Sequence, residues 1–498
     1  MKHEGALVVP PTRLRRKVPL ATLVVLIVAA FALGGGARDD ITSLIILRPL
    51  AVLALGIGLF TLTRQQWEDF RLPLTLMASI IGLIILHLIP LPPAIWTAIP
   101  GRELAVAAGE AAGGIEPWRP LSLVPYRGWN AFYAMLVPAA AMVLAVQLDH
   151  DDHRRLMLLI IAAGIASALW GIIQSVGGFS RSLYFYNVTN YDYVTGLFAN
   201  RNHMAAMQVA VMPLLVVIAG RAKGPRKGMV LIACGALALL ALMMALATGS
   251  RAGMAFSVFA IGASWLVWRA RPHRPDVRRR GPQKQPWVPY AFAAFGAVML
   301  GGFGLLLARS QGFARLLDTG SVEEYRFVVW QTVADLIPQF LPMGSGVGSF
   351  VELFKVYEPS EMLGTSYWNH VHNDWLEWAL EGGLPAIALM IFVVLAFGRR
   401  CLALLHSSNS GRFEVQLGIA SAIILFVLGL WSMVDYPLRV PALSCLAALC
   451  AVWMALSRDA PDGGFGAGQT TDAAQNLSRP AVFKTRPVER KRKGSGRS

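Results

Sequence analysis

The chain has 498 residues, 55% of them hydrophobic, and a mean hydropathy of +0.52, which excludes an ordinary water-soluble globule. The net charge of +16 could point to nucleic acid, but the basic residues are dispersed among short segments between apolar runs and form no single stripe. Open sheets cannot satisfy their backbone in lipid, so the composition predicts an all-α polytopic membrane protein.

A helix needs about 20 mostly apolar residues to cross the hydrocarbon. Twelve runs come near that: 18–34, 44–62, 72–89, 129–148, 156–176, 203–219, 228–247, 252–268, 288–308, 384–398, 416–434 and 442–456. With the N-terminus inside, 32 of the 45 Lys and Arg residues fall on inner segments, as the positive-inside rule requires. The inverse orientation would expose the Arg-rich run 269–287. The predicted organisation is a basic cytoplasmic N-terminus (1–17), a transmembrane region (18–456) with periplasmic loops at about 90–128, 177–202 and 309–383, and a disordered basic cytoplasmic tail (457–498). The first apolar run follows Arg13, Arg15, Arg16 and Lys17 and is read as a retained helix, not a cleaved signal.

Loop 90–128 is Pro-rich and, with Trp96, Trp118 and Trp129, suggests elements lying at the membrane interface. The run Asp149-His150-Asp151-Asp152-His153 looks metal-like but falls on a very short inner turn, where helix capping explains it better. Loop 177–202 carries Tyr184, Phe185, Tyr186, Tyr191 and Tyr193, either an interface belt or a platform for sugar rings, and ends in Arg201-Asn202-His203. Cys234, Cys401, Cys445 and Cys450 match no zinc spacing and read as packing residues. From Ser321 to Pro338 the apolar residues recur at helical spacing, with Pro338 and Pro342 as the stop. The Gly344–Gly348 run reads as a turn; it lacks the Lys-Ser/Thr ending of a phosphate loop.

The most informative stretch is Asn369–Gly383, which puts two histidines and three carboxylates beside a membrane span. Asn373 is placed to cap a helix, Asp374 suits its first turn, and Asp374, Glu377 and Glu381 share one face. Gly382-Gly383 should break that helix before Pro385 begins the next span. His372, just before the positive end of a helix, should stay neutral and able to accept a proton. His370 is a second, weaker candidate. Arg201, Arg251, Arg326 and Arg439 each fall where an outer loop meets a helix end, and Lys355 is the sole outer lysine on this topology. Arginine's planar fork suits phosphate, so an anionic head group such as a diphosphate is the expected ligand.

These residues resemble the O-antigen ligase and Wzy polymerase superfamily over about 200–440. His372-Asn373, followed after nine residues by Gly383, is similar to that family's His-Asn…Gly-x-x-Gly signature, with Ala386 in place of the last glycine. Thr248-Gly249-Ser250-Arg251 resembles its Ser-Arg element. Glu324-Tyr325-Arg326, Trp330 and Pro342-Met343-Gly344-Ser345-Gly346 resemble its Arg…Trp…Pro-x-x-Gly-x-Gly segment, and Asp435-Tyr436-Pro437-Leu438 its last outer turn. The resemblance implies a C-type glycosyltransferase-like fold in the bacterial inner membrane. It also implies a polyprenyl-diphosphate-linked oligosaccharide donor at the periplasmic face, with neither metal nor other cofactor, and roles for Arg251, Arg326 and His372 in catalysis.

The expected function is therefore inverting transfer of a glycan to a sugar hydroxyl, on a lipid A-core acceptor (an O-antigen ligase) or on another lipid-linked glycan (an O-antigen, capsule or exopolysaccharide polymerase). Arg201, Asn202, His203, His370, Asn373, Asp374 and Arg439 are the expected substrate-binding residues. Membrane lipids, a chain-length regulator and a flippase are candidate partners; nucleic acid is not. The alternatives are a flippase or exporter of lipid-linked oligosaccharide, which should carry charge inside its helices, and a protein O-oligosaccharyltransferase.

Overall fold

A computed structural model describes residues 13–114, 117–272, 322–364, 367–407 and 411–456. The structure is all-α and polytopic. Among the described residues, nine helices are long and apolar enough to cross a membrane: α2 (Leu44–Thr61), α4 (Arg71–Leu88), α7 (Pro125–Ala145), α8 (His150–Val176), α9 (Arg201–Arg221), α10 (Lys227–Ala247), α11 (Arg251–Arg269), α14 (Asp374–Leu405) and α15 (Phe413–Trp431). Two shorter apolar helices, in α1 (Arg13–Leu33) and α16 (Pro441–Leu456), correspond to the first and last predicted runs. Eleven of the twelve predicted runs are thus helical. The twelfth, 288–308, and the tail 457–498 lie outside the described residues.

α9 is the axis of the bundle. It packs on α8, α10, α11 and α15, and nearly its whole middle is buried, from His203 through Leu215. Small residues permit the close approach: a methyl on Gly253 of α11 would lie 2.8 Å from the Ala205 methyl of α9. That contact sets the first turns of the two helices side by side. At the far end of the bundle Asp149 caps α8 by accepting from Asp152 N at 3.0 Å, the capping role expected of that acidic run. The four cysteines are free, and Cys234, Cys445 and Cys450 are buried as packing residues.

The longer connecting segments fold into short elements. Loop 90–128 forms two short helices after α4, α5 (Pro93–Trp96) and α6 (Glu103–Ala111), with a two-residue antiparallel bridge between β1 (Pro90–Leu91) and β2 (Arg119–Pro120). The element α3 (Arg64–Asp69) lies earlier, between α2 and α4. Two of the five rings of loop 177–202 face inward: Tyr186 and Tyr193 are buried, and the Tyr186 hydroxyl accepts from Gly35 N at 2.7 Å, while Phe185 stays exposed. α12 (Val322–Phe340) runs two residues past Pro338, the expected stop, because a proline in the last turn forfeits only one helical hydrogen bond. α12 and α13 (Phe350–Tyr357) share a separate small core with the start of α14, built on Val329, Val333, Phe340, Phe350, Val371 and Leu380.

A pair of glycines locks this small core to the span below. α14 breaks at Gly383 (φ 59°, ψ −151°), as the Gly-Gly pair predicts. The turn after α12 is hydrogen-bonded onto that break: Ser345 N to Leu380 O (3.0 Å), Gly346 N to Glu381 O (2.8 Å) and Leu384 N to Pro342 O (2.8 Å). A Cβ on Gly344 would lie 2.4 Å from Glu381 O, and one on Gly383 2.3 Å from Pro342 O; both residues also have positive φ. Gly383→Ala and Gly344→Ala should each cost about 1–3 kcal/mol for the left-handed backbone alone, before the clash. Thermal unfolding of the purified protein in detergent checks this; Gly398→Ala, which meets open space, should leave the midpoint unchanged.

Candidate active site

The loop before α14 and the turn after α15 meet at one end of the bundle. His372 stands in the loop with φ 57°, a left-handed conformation that few non-glycine residues adopt, though His, Asn and Asp do so more often than the rest. Its Nδ1 lies 3.1 Å from Asp435 Oδ1. An ionised carboxylate can only accept, so this contact places the ring proton on Nδ1 and leaves Nε2 as the lone-pair nitrogen. Asp435 is almost fully buried. Burial opposes its ionisation, but the hydrogen bond from His372 and the positive charge around it hold the carboxyl well below the usual carboxylate range. Its other oxygen accepts from Asn202 Nδ2 at 2.7 Å, which ties the start of α9 to the same turn.

Tyr436 is the floor of the site. The rings of His203, His370 and His372 surround it at centroid distances of 5.3, 4.5 and 4.8 Å. Burial raises its phenol above the usual range, and Asn369 Nδ2 reaches its hydroxyl at 3.5 Å. His203 is buried, and neither of its ring nitrogens has a hydrogen-bond partner. Trp368 packs edge-on against His372 at 5.7 Å.

Two of the four arginines adjoin this centre directly. Arg326, on α12, donates through Nη1 to Val434 O at 3.4 Å, beside Asp435. Arg439 lies in the 3₁₀ turn Pro437–Arg439 and donates through Nε to Asp374 Oδ1 at 2.7 Å. Arg201 and Arg251 open α9 and α11, the two helices that touch through Gly253 and Ala205. Arg201 also stacks over Tyr193, 4.4 Å from the ring centroid. Asn200, Ser250 and Asn373 cap α9, α11 and α14 with side-chain oxygens. The positive dipole ends of α9 and α14 therefore point at the His372–Asp435 pair, with that of α11 beside α9, an arrangement that favours an anion. Among the described residues, no three His, Cys, Asp or Glu side chains are grouped to hold a metal ion.

Residues 236–391 match the family model for O-antigen ligase. That match agrees with the resemblance to the O-antigen ligase superfamily carried by the sequence motifs. No curated protein matches the chain. The match supports, in general terms, a membrane protein that transfers a glycan as a ligase or polymerase, with a lipid-linked glycan donor and a glycan acceptor. The matched region takes in Arg251, Arg326 and His372, and it stops short of Asp435.

The remaining expected site residues have visible employment inside the protein. Asn373 Oδ1 accepts from Trp375 N (3.1 Å) and Leu376 N (3.2 Å) as the helix cap. Asp374 and Glu377 both face Arg439, whose Nη2 is 3.1 Å from Glu377 Oε1 as an ion pair without hydrogen-bond geometry. Glu377 also receives His370 Nδ1 at 3.0 Å and Val371 N at 2.9 Å. Burial holds the His370 imidazole below its ordinary value, although Glu377 pulls the other way. Glu381 turns aside and accepts from Phe350 N at 3.0 Å, bracing α13. Sequence reasoning had not assigned Asp435, Glu377 or Tyr436 to the site. The available signal was the Asp-Tyr-Pro turn between the last two apolar runs, a carboxylate with no nearby basic partner in sequence except Arg439.

Proposed function

We propose that this protein transfers a glycan from a polyprenyl-diphosphate carrier to a sugar hydroxyl in one inverting displacement, without a metal, at the periplasmic face of the bacterial inner membrane. The observation that carries this reading is the His372–Asp435 hydrogen bond at 3.1 Å in a site bordered by Arg326. The acceptor hydroxyl gives its proton to His372 Nε2 as its oxygen attacks the anomeric carbon. The bond from that carbon to the diphosphate oxygen breaks, and the carrier leaves as the polyprenyl diphosphate. Arg326 and Arg251, with the helix ends of α9 and α11, offset the charge that grows on the departing phosphate. Arg201, Asn202 and His203 line the same end of the bundle and are proposed to contact the donor. A displacement needs no covalent sugar–enzyme intermediate.

The acceptor is proposed to be a carbohydrate, as in ligation to lipid A-core or polymerisation of lipid-linked repeats. A transporter of the same lipids is disfavoured because the ionisable cluster is confined to one end of the bundle, not strung along helix interiors.

Reconstitution with a lipid-linked oligosaccharide and either lipid A-core or a second lipid-linked glycan tests the reading. Product should form with one acceptor and survive chelator. Arg326→Gln should lower turnover roughly 10²-fold, the usual cost of one lost charge-stabilising donor, and Arg326→Lys should recover part of it. Loss of activity in chelator, or labelling of position 372 from the cytoplasmic side, would overturn the proposal.

A further inference from the structure

We infer that Arg439, Glu377 and Asp374 form a positioning unit that sets the His372 ring on Asp435, and that Arg439 is not a grip on the donor diphosphate. The inference deepens the proposed function and rests on its reading of His372 as the base.

The backbone of His372 is left-handed, with φ 57°. A left-handed histidine costs of order 1–3 kcal/mol and persists only where its surroundings over-determine it. Both neighbouring peptides are fixed. On one side Val371 is wholly buried; its N donates to Glu377 Oε2 at 2.9 Å, and its O accepts from Trp330 Nε1 at 3.0 Å. On the other side Asp374 N donates to Ser432 O at 2.7 Å, and Asn373 caps the helix. His372 is the arch between these two anchors.

Arg439 joins the arch to its partner. It sits four residues after Asp435, in the turn that follows, and reaches back to Asp374 and Glu377, the carboxylates at the two ends of the first helical turn. One guanidinium thus fixes the Asp435 turn against the His372 loop. The same group is a poor ligand for phosphate. It already faces two carboxylates, both little exposed to solvent, so an incoming phosphate would meet a region of net negative charge. Burial works against the charge on Arg439, but those carboxylates hold it more firmly protonated than usual. Removing the guanidinium would leave two like charges close together and buried, and their repulsion would loosen the first turn of α14, whose Glu377 holds Val371 N.

The test uses the full-length protein in nanodiscs, with Arg439→Gln, Arg439→Lys, Glu377→Gln and the Arg439→Gln/Glu377→Gln pair. Two measurements are made: transfer kinetics from a lipid-linked oligosaccharide, and hydrogen exchange of the amides at 371 and 374. Arg439→Gln should lower kcat roughly 10²-fold, the scale of a displaced catalytic group, with the donor KM unchanged. Arg439→Lys should restore part of kcat, since an ammonium can still bond Asp374. The double variant should be no worse than the poorer single one, because both act through one network. Exchange at 371 and 374 should quicken in both glutamine variants; should Arg439→Gln not fold, Glu377→Gln carries both readouts. A raised donor KM at unchanged kcat would make Arg439 a substrate ligand and overturn the inference. So would unchanged exchange at both amides. The exchange readout needs no turnover, so it judges the network even where a fully active His372→Ala variant shows that the reading of the base is wrong.

Discussion

His372→Ala is expected to cut glycan transfer by roughly 10²- to 10⁴-fold, the range for losing a positioned base. The imidazole is only partly exposed, and with Nδ1 committed to Asp435 its Nε2 is the lone-pair nitrogen. His370 is a poorer base: burial depresses its basicity, and the Glu377 carboxylate that faces its Nδ1 is shared with Arg439. Donor binding should survive, since the arginines and helix ends are untouched, so the loss should fall on kcat and spare KM. The left-handed backbone supplies a folding control. Asparagine tolerates φ near 57° far better than alanine. His372→Asn should therefore be more stable to heat than His372→Ala while remaining as inactive. Near-normal turnover in either variant, measured with reconstituted lipid-linked donor, would remove the base from the mechanism.

Much of the architecture was legible because the bilayer imposes it. Long apolar runs can only be helices there, and eleven of twelve were found in place within a few residues. Local chemistry was legible too. Asn373 caps, Gly383 breaks α14, and the Gly344–Gly348 run turns, because each depends on backbone rules within a few residues. The site was legible only in part. The His372–Asp435 contact spans 63 residues of sequence, and no spacing rule foretells that the end of α15 crosses the loop before α14. Arginine was the other blind spot. The sequence grouped Arg439 with Arg251 and Arg326, since all sit at helix ends and all could hold phosphate. Only the coordinates show that Arg439 faces two internal carboxylates, whereas Arg326 bonds a carbonyl and keeps Nε unpartnered. The glycines of the family signature have a plain physical cause as well: Gly344 and Gly383 abut through their backbones, and neither has room for a Cβ.

Asp435→Asn should be nearly as damaging as loss of the histidine, at roughly 10²- to 10⁴-fold in kcat, because it acts on the tautomer of the base. The carboxylate accepts from two donors, His372 Nδ1 at 3.1 Å and Asn202 Nδ2 at 2.7 Å. An amide has one oxygen. If that oxygen keeps Asn202, the new NH₂ faces Nδ1 and donates to it, and the ring proton moves to Nε2. The nitrogen meant to receive the acceptor's proton then already carries one. The substitution also removes the buried negative charge that would stabilise the imidazolium formed during transfer, with Arg326 close by. Volume and shape hardly change, so the fold should persist and donor KM should move little. Imidazole nitrogen shifts of labelled histidine give the deciding measurement: the parent should show a protonated Nδ1 on His372, and Asp435→Asn a protonated Nε2. A variant with the parent's tautomer and the parent's rate would mean that Asp435 only braces the turn and that His372 does not serve as the base.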